Sequence, residues 1–261
     1  MILYLFLTHL GIGIILTLVL VSREAGVKFF RFNAGLAAAL IAVAVAFRPS
    51  SEASAVNTVA LASLVVCLAA VTLYWATVGR ALASIRPAVV GVACSSGVVV
   101  LVAQAIAGAG PFDVKVLTIA SFLSSAALLG GASTAMILGH WYLVIPSMQV
   151  SHLQSIVKVH IASLVVRVVV VVAAVVVAIE AWQPGLGPSF RRYVTSVDGV
   201  FFWQRVLFGL ASPALLSYLI WETAKIRSTQ SATGILYVDF FTVVVGEVLA
   251  KYLLLATRVP V

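Results

Sequence analysis

Three of the four histidines in this chain lie within one short stretch, where their imidazole groups could perform chemistry. His140 belongs to the segment GHWYLVIP, and His152 and His160 follow it. An imidazole can ligate a haem iron, carry a proton, or lie at a membrane surface with other amphipathic rings. The choice depends on the elements that position the histidines and on the other ionisable groups nearby.

Few other ionisable side chains lie inside apolar segments. Each is a candidate for function, because an isolated charge at the centre of a bilayer costs about 3 kcal/mol or more. Glu247 and Lys251 have the i, i+4 spacing and order of a helical ion pair, and Asp239 falls on the same broad face. We expect these three residues either to form a proton or ion relay, or only to neutralise one another and fix helix register. Arg167 is a possible partner for Asp239.

Polar residues also form stripes on the fifth and sixth apolar segments. His160, Ser163 and Arg167 are three and four positions apart, which places them on one helical face that must point toward protein or water. The fifth segment has a similar face beside the small-residue run GGAS at 130–133. That face contains Ser125, Ser133 and His140. Small residues allow another helix, or a flat ligand, to approach the backbone closely.

A b-type haem needs two axial imidazoles, and His140 and His160 fall on neighbouring segments joined by a short connection. If those segments form an antiparallel pair, both histidines are expected at a similar depth on the cytoplasmic side. The pair therefore predicts a haem iron site. The alternative is that His140, Trp141 and Tyr142 form an aromatic belt at the membrane interface. His152 is expected in the connecting loop.

A second polar pocket is predicted around His9 of the first segment. Gly11 and Gly13 follow it and permit close helix packing. With Lys251, His9 could donate hydrogen bonds to the carbonyls of a quinone headgroup. Arg205 could join this pocket, but its place near the start of a segment favours a side chain that extends to the interface.

The composition indicates which kind of secondary structure contains these residues. The chain has 261 residues, 63% of them hydrophobic and only 9% charged, with a mean hydropathy of +1.19. Soluble domains contain about one quarter charged residues. We therefore predict an all-α integral membrane protein, a single polytopic domain over 1–261 with about eight transmembrane helices and short loops. The predicted spans are 2–21, 31–47, 57–78, 87–107, 116–145, 159–181, 200–220 and 234–256.

Loops and charges indicate topology. Pro146 is expected to end the fifth helix, and 183–199 is the longest connection. The net charge of +8 is interpreted first as loop topology, so no nucleic-acid partner is predicted. More Lys and Arg lie in the odd-numbered connections, which predicts that both termini are outside a bacterial cytoplasmic membrane.

The leading hypothesis for function is a membrane subunit for electron transfer. It would interact with quinone or quinol, and with haem b, within a larger respiratory or photosynthetic-type complex. Its partners would be the lipid bilayer and other membrane or peripheral redox subunits. The architecture is similar to that of quinol-linked membrane anchors of bacterial oxidoreductases, an analogy that transfers no residue roles. The alternatives are a proton-coupled secondary transporter for a small solute, and a structural subunit without its own activity.

Overall fold

The computed structural model describes residues 1–50, 54–108, 111–145, 149–180 and 189–261. These residues form ten α-helices, and no strand occurs among them, which confirms the all-α prediction. The helices are α1 (Ile2–Leu18), α2 (Gly26–Ala46), α3 (Ala55–Thr77), α4 (Arg86–Ile106), α5 (Phe112–Val144), α6 (Val150–Glu180), α7 (Phe190–Thr195), α8 (Val200–Val206), α9 (Ser212–Lys225) and α10 (Thr229–Thr257).

The prediction of a membrane helix bundle is confirmed. Within the described ranges, seven helical segments are long and apolar enough to cross a bilayer, and α8 and α9 together form one of them. Helix α1 is also apolar but has only 17 residues. Several boundaries differ from the sequence prediction, and the largest difference is at α6, which begins at Val150 rather than at 159. Pro146, predicted to end the fifth helix, and part of the predicted 183–199 connection lie outside the described residues.

Helix α1 lies at the centre of the bundle, where it packs against α2, α4, α5 and α10. Its closest approach is to α5. A Cβ atom added at Gly13 would collide with the backbone at Ala126 and Gly130, and one added at Gly130 would collide with Gly13. This backbone contact needs glycine on both helices. It holds the predicted site residue His9 deep in the protein, where it is fully buried.

Helix α6 has one polar face and one face of valines. Val165, Val166 and Val169 are exposed, as expected for contact with lipid. His160 and Arg167 are buried on the other side of the same helix. The predicted polar stripe of the sixth segment therefore faces the protein interior.

Helices α8 and α9 are joined by a π-helical turn, Leu207–Ala211, in which the N–H of Ser212 donates to the carbonyl of Leu207. Pro213 follows this turn and has no N–H to complete an α-helical pattern there. Within the turn, Gly209 packs against Gly246 of α10, and a Cβ on either residue would collide with the other helix. The contact brings α8 and α10 close together.

Candidate functional site

Glu247 of α10 is the centre of a buried group of charges, because three cationic side chains contact its carboxylate. Arg167 Nε lies 2.9 Å and Arg205 Nη2 lies 3.0 Å from Oε1. Lys251 Nζ lies 2.8 Å from Oε2. None of the four side chains is more than 3% exposed. We call these four residues the Glu247 cluster.

The cluster is assembled from helices that are distant in sequence. Arg167 comes from α6, Arg205 from α8, and Glu247 and Lys251 from successive turns of α10. Gly209 lies one turn after Arg205, and Gly246 directly precedes Glu247, so the close approach of the two glycines is what allows these two side chains to meet.

Arg167 holds Glu247 through two hydrogen bonds that are side by side. Its Nε donates to Oε1 at 2.9 Å and its Nη2 to Oε2 at 3.3 Å. The Nη1 atom donates to the hydroxyl of Ser121 at 2.7 Å and to the Ser121 carbonyl at 3.2 Å. Nη2 also lies 3.4 Å from a backbone oxygen of Val261. The planar fork of the guanidinium is thus well supplied with acceptors.

The guanidinium of Arg205 has fewer hydrogen-bond acceptors than that of Arg167. Its Nη2 atom donates to Glu247 at 3.0 Å. Its Nε and Nη1 atoms are buried and have no hydrogen-bond partner in the described part of the chain. Because an arginine stays protonated in proteins, a full positive charge is buried here with only one acceptor.

Ser125 of α5 extends the cluster toward α1. Its hydroxyl donates to Glu247 Oε2 at 2.5 Å and accepts a hydrogen bond from Lys251. His9 Nδ1 lies 3.2 Å from the same oxygen. A serine has a single proton to donate, so when that proton points to Glu247 the His9 Nδ1–H must be the donor. His9 Nε2 is then a bare acceptor that makes no well-aligned hydrogen bond among the described residues, although the side chain of Gln104 lies near the imidazole.

His160 and Asp239 form a second buried pair. His160 Nε2 lies 3.0 Å from Asp239 Oδ2, and both side chains are completely buried. The two groups are close without being aligned as a hydrogen bond, and all four of their nitrogen and oxygen atoms lack a hydrogen-bond partner in the described residues. The backbone of His160 packs over Gly131 of α5, within the run GGAS. The predicted role of that run in close helix packing is confirmed.

The structure separates the two histidines that predicted a haem. His160 lies opposite Gly131, nine residues before His140 on α5, which is about 13 Å along the helix axis. His140 is exposed and hydrogen-bonds to the hydroxyl of Tyr237 at 3.1 Å. The expectation of equal depth is wrong because α6 begins at Val150, nine residues earlier than predicted. Haem ligation by this pair stays a prediction, and no histidine-to-histidine contact supports it.

Some of the remaining predicted site residues lie in or beside the Glu247 cluster, and Ser133 lies elsewhere on α5. His9, Arg167, Glu247 and Lys251 are brought together, and the predicted ion pair between Glu247 and Lys251 is confirmed. Ser133 is buried on α5, eight residues beyond Ser125, about 12 Å away along the axis.

Three sequence predictions are wrong: the partner of Arg167, the location of the Arg205 side chain and the secondary structure at His152. Arg167 pairs with Glu247 and not with Asp239, whose partner is His160. Arg205 does not extend to the interface, because the glycine contact between α8 and α10 holds it against Glu247. His152 is helical rather than in a loop, and its Nε2 atom lies 2.7 Å from Glu24 Oε2.

Ser121 is a site residue that the sequence analysis did not name, while Ser125 was named only as part of a polar face and Arg205 only as a possible member of the His9 pocket. Serine is common in membrane helices and has no charge to mark it, and Arg205 lies where an interfacial arginine is expected. The face shared by Ser125 and Ser133 was the available signal, and only Ser125 reaches the cluster.

No known protein family, curated protein or solved structure matches this chain. Within the described residues, no group of three or more His, Cys, Asp or Glu side chains could hold a metal ion.

The chemistry of the cluster follows from its charges. Its side chains carry three positive charges and one negative charge, so mutual neutralisation is incomplete. The two arginines keep their protons, whereas lysine can exchange one when buried. The arrangement can therefore hold a negative species, and can gain or lose a proton at Lys251.

Proposed function

We propose that this protein is a proton-coupled secondary transporter for a small solute and that the Glu247 cluster is its coupling site. The observation that carries the proposal is the contact of three buried cations with one buried carboxylate. Ionisable groups at membrane depth typically belong to ion pathways or proton relays.

A purely structural role explains fewer features of the Glu247 cluster than a role in transport does. One cation is enough to neutralise Glu247, and further buried cations without partners reduce stability. Arg205 leaves two of its nitrogen atoms without acceptors, which is unfavourable in a group that only fixes helix register. A site whose negative partner enters and leaves would need such an excess of positive charge.

A proton has a continuous path through side chains on three helices. Lys251 on α10 contacts Ser125 on α5, which in turn contacts His9 on α1. His9 can take up a proton at its bare Nε2 and give its Nδ1 proton to Ser125, whose own hydroxyl proton can then pass to Lys251 when that lysine is deprotonated. The pair of His160 on α6 and Asp239, which lies about two turns before Glu247 on α10, would supply a second place to hold a proton.

Proteoliposomes that contain a pH-sensitive dye test the proposal. The reconstituted protein is exposed to chloride, nitrate, formate, alanine or glucose gradients, and proton movement is recorded. We expect at least one solute to drive protons across the membrane, and Glu247→Gln to abolish this movement. Glu222→Gln is the matched control, because Glu222 pairs with Lys225 on the protein surface.

Two results would overturn the proposal: vesicles in which no solute moves protons faster than in protein-free vesicles, and a Glu247→Gln variant as active as the wild type. Ser125→Ala keeps every charge of the cluster, so a loss of proton movement in this variant would not result from misfolding around an unpaired charge. This variant should fold and still lose most of the proton movement.

A second candidate function is interaction with a quinone, favoured by an open groove between α5 and α10. The groove has a volume of about 530 Å³ and is lined by Tyr142, Thr233, Gln230 and Tyr237. The amide of Gln230 could donate to a quinone carbonyl, and so could Tyr237 when His140 Nδ1 carries the proton of their shared hydrogen bond. His140 contacts Tyr237 at its edge. Redox spectroscopy of purified protein with added quinone tests this candidate and the haem hypothesis together. A colourless protein that binds no quinone would rule out both.

A further inference from the structure

We propose that Arg167, Lys251 and Ser121 bind a small monovalent anion in a cavity beside Glu247. The inference rests on the proposed function, because it names the class of solute carried, but the binding can be measured without transport. It combines three observations: the charge of the cluster, a cavity next to it, and hydrogen-bond donors with unused capacity on residues that line that cavity.

The charge of the cluster requires a negative partner. Its side chains carry three positive charges and one negative charge, all buried. Even one further carboxylate in the cluster would leave an excess of positive charge. Asp239 does not supply it, because that residue pairs with His160 about two turns away. A diffusible anion would complete the balance.

A small cavity lies beside the cluster, and Arg205 is not among the residues that line it. Ser121, Arg167 and Lys251 line it together with the apolar residues Phe122 and Leu254 and the chain segment at Pro260 and Val261. Its volume of about 10 Å³ is enough for a single particle of roughly the size of water. Fluoride is of this size, chloride would require a small expansion of the cavity, and a sulfate or a sugar is too large.

Two donors on the cavity wall have capacity left. Lys251 uses two of its three N–H groups, toward Ser125 and Glu247. The hydroxyl of Ser121 accepts a hydrogen bond from Arg167 Nη1 at 2.7 Å, which leaves its own proton to be donated. A third interaction would come from the guanidinium charge of Arg167. The same positive surroundings would repel a metal cation.

The apolar part of the wall favours a weakly hydrated anion. Phe122 and Leu254 cannot replace the water that a strongly hydrated ion loses on entry. Chloride and nitrate are therefore expected to bind more tightly than fluoride. Nitrate would require a slight expansion of the cavity.

Thermal unfolding of the purified full-length chain in detergent tests the inference. Sodium chloride, nitrate and fluoride are compared with gluconate and sulfate at constant ionic strength. We expect a saturable rise of the Tm with chloride and nitrate, and no saturable rise with gluconate or with sulfate, which raises the Tm without saturation because it is excluded from protein surfaces. A saturable rise of equal size with sulfate, or no saturable rise with any halide, would overturn the inference.

The variant Ser121→Ala removes one donor and keeps all charges, so it should fold. We expect its apparent Kd for chloride to increase about tenfold, since a hydrogen bond to a charged group is lost. Ser163→Ala is the matched control, because that serine only bonds to the carbonyl of Val159 on its own helix. Unchanged chloride binding in Ser121→Ala would contradict the assignment of the site.

The two proposals fail in different ways. If protons move with alanine or glucose while no anion raises the Tm saturably, the anion site is wrong and the transport function stands. If chloride raises the Tm while no solute moves protons, the transport function is wrong and the anion site stands.

Discussion

Arg167 and Glu247 face each other across two parallel hydrogen bonds, with Nε at 2.9 Å from Oε1 and Nη2 at 3.3 Å from Oε2. The pair connects α6 with α10 and is completely enclosed by protein. The His160–Asp239 pair connects the same two helices seven and eight residues earlier. The order of the two contacts shows that α6 and α10 run in the same direction.

Removal of Arg167 should leave buried acceptors on Glu247 and Ser121 without its hydrogen bonds, while Arg205 and Lys251 still balance the charge of Glu247. We expect Arg167→Met to destabilise the protein by about 1–3 kcal/mol, the usual effect of leaving a buried acceptor without its partner. Reversible unfolding in mixed micelles measures this change. Arg23→Met, on an exposed residue, should change stability by less than about 1 kcal/mol. Equal effects of the two substitutions would contradict the arrangement described here.

The contact between Gly209 and Gly246 should not tolerate a side chain on Gly246. Gly246→Ala places a Cβ against the backbone of Gly209 and should destabilise by about 1–3 kcal/mol. Gly234 lies on the same helix with open space around it, so Gly234→Ala should be neutral or stabilise by up to about 1 kcal/mol. The Tm of the two variants measures the difference, and an equal Tm would show that the helices are not in contact.

The His160–Asp239 pair should behave as a coupled unit. A double-mutant cycle with His160→Phe and Asp239→Asn should give a coupling free energy of about 0.5–3 kcal/mol. Unfolding of the four proteins measures this quantity. Additive effects of the two substitutions would mean that the groups do not interact.

The surface pair between His152 and Glu24 should contribute little. Glu24 is more than half exposed, so solvent screens its attraction to the imidazole. Glu24→Gln should therefore change the unfolding free energy by less than about 1 kcal/mol, measured at low ionic strength and again in 1 M salt. A loss as large as that of Arg167→Met would refute the distinction between surface and buried charges.

Local patterns in the sequence predicted local structure well. The apolar segments indicate the helices, the spacing of His160 and Arg167 predicts a buried stripe, and the i, i+4 spacing of Glu247 and Lys251 predicts their pair. Each depends only on the geometry of one helix.

Contacts between helices were not predictable in the same way. The partner of Arg167 depends on how α6 and α10 are aligned, and a single sequence does not encode that alignment as a pattern. Arg205 is buried because two glycines on separate helices allow close packing, although its position suggested a surface residue. The predicted haem pair failed to meet because the start of α6 was placed nine residues too late.

We propose that Lys251 exchanges a proton when a solute crosses the membrane. Lys251→Met and Lys225→Met make the same chemical change, one inside the Glu247 cluster and one in the exposed pair with Glu222. The initial rate of solute-driven proton movement, measured in vesicles that contain each variant in equal amounts, distinguishes the two lysines. We expect a rate near that of protein-free vesicles for Lys251→Met and a wild-type rate for Lys225→Met. A wild-type rate for Lys251→Met would show that Lys251 takes no part in proton movement.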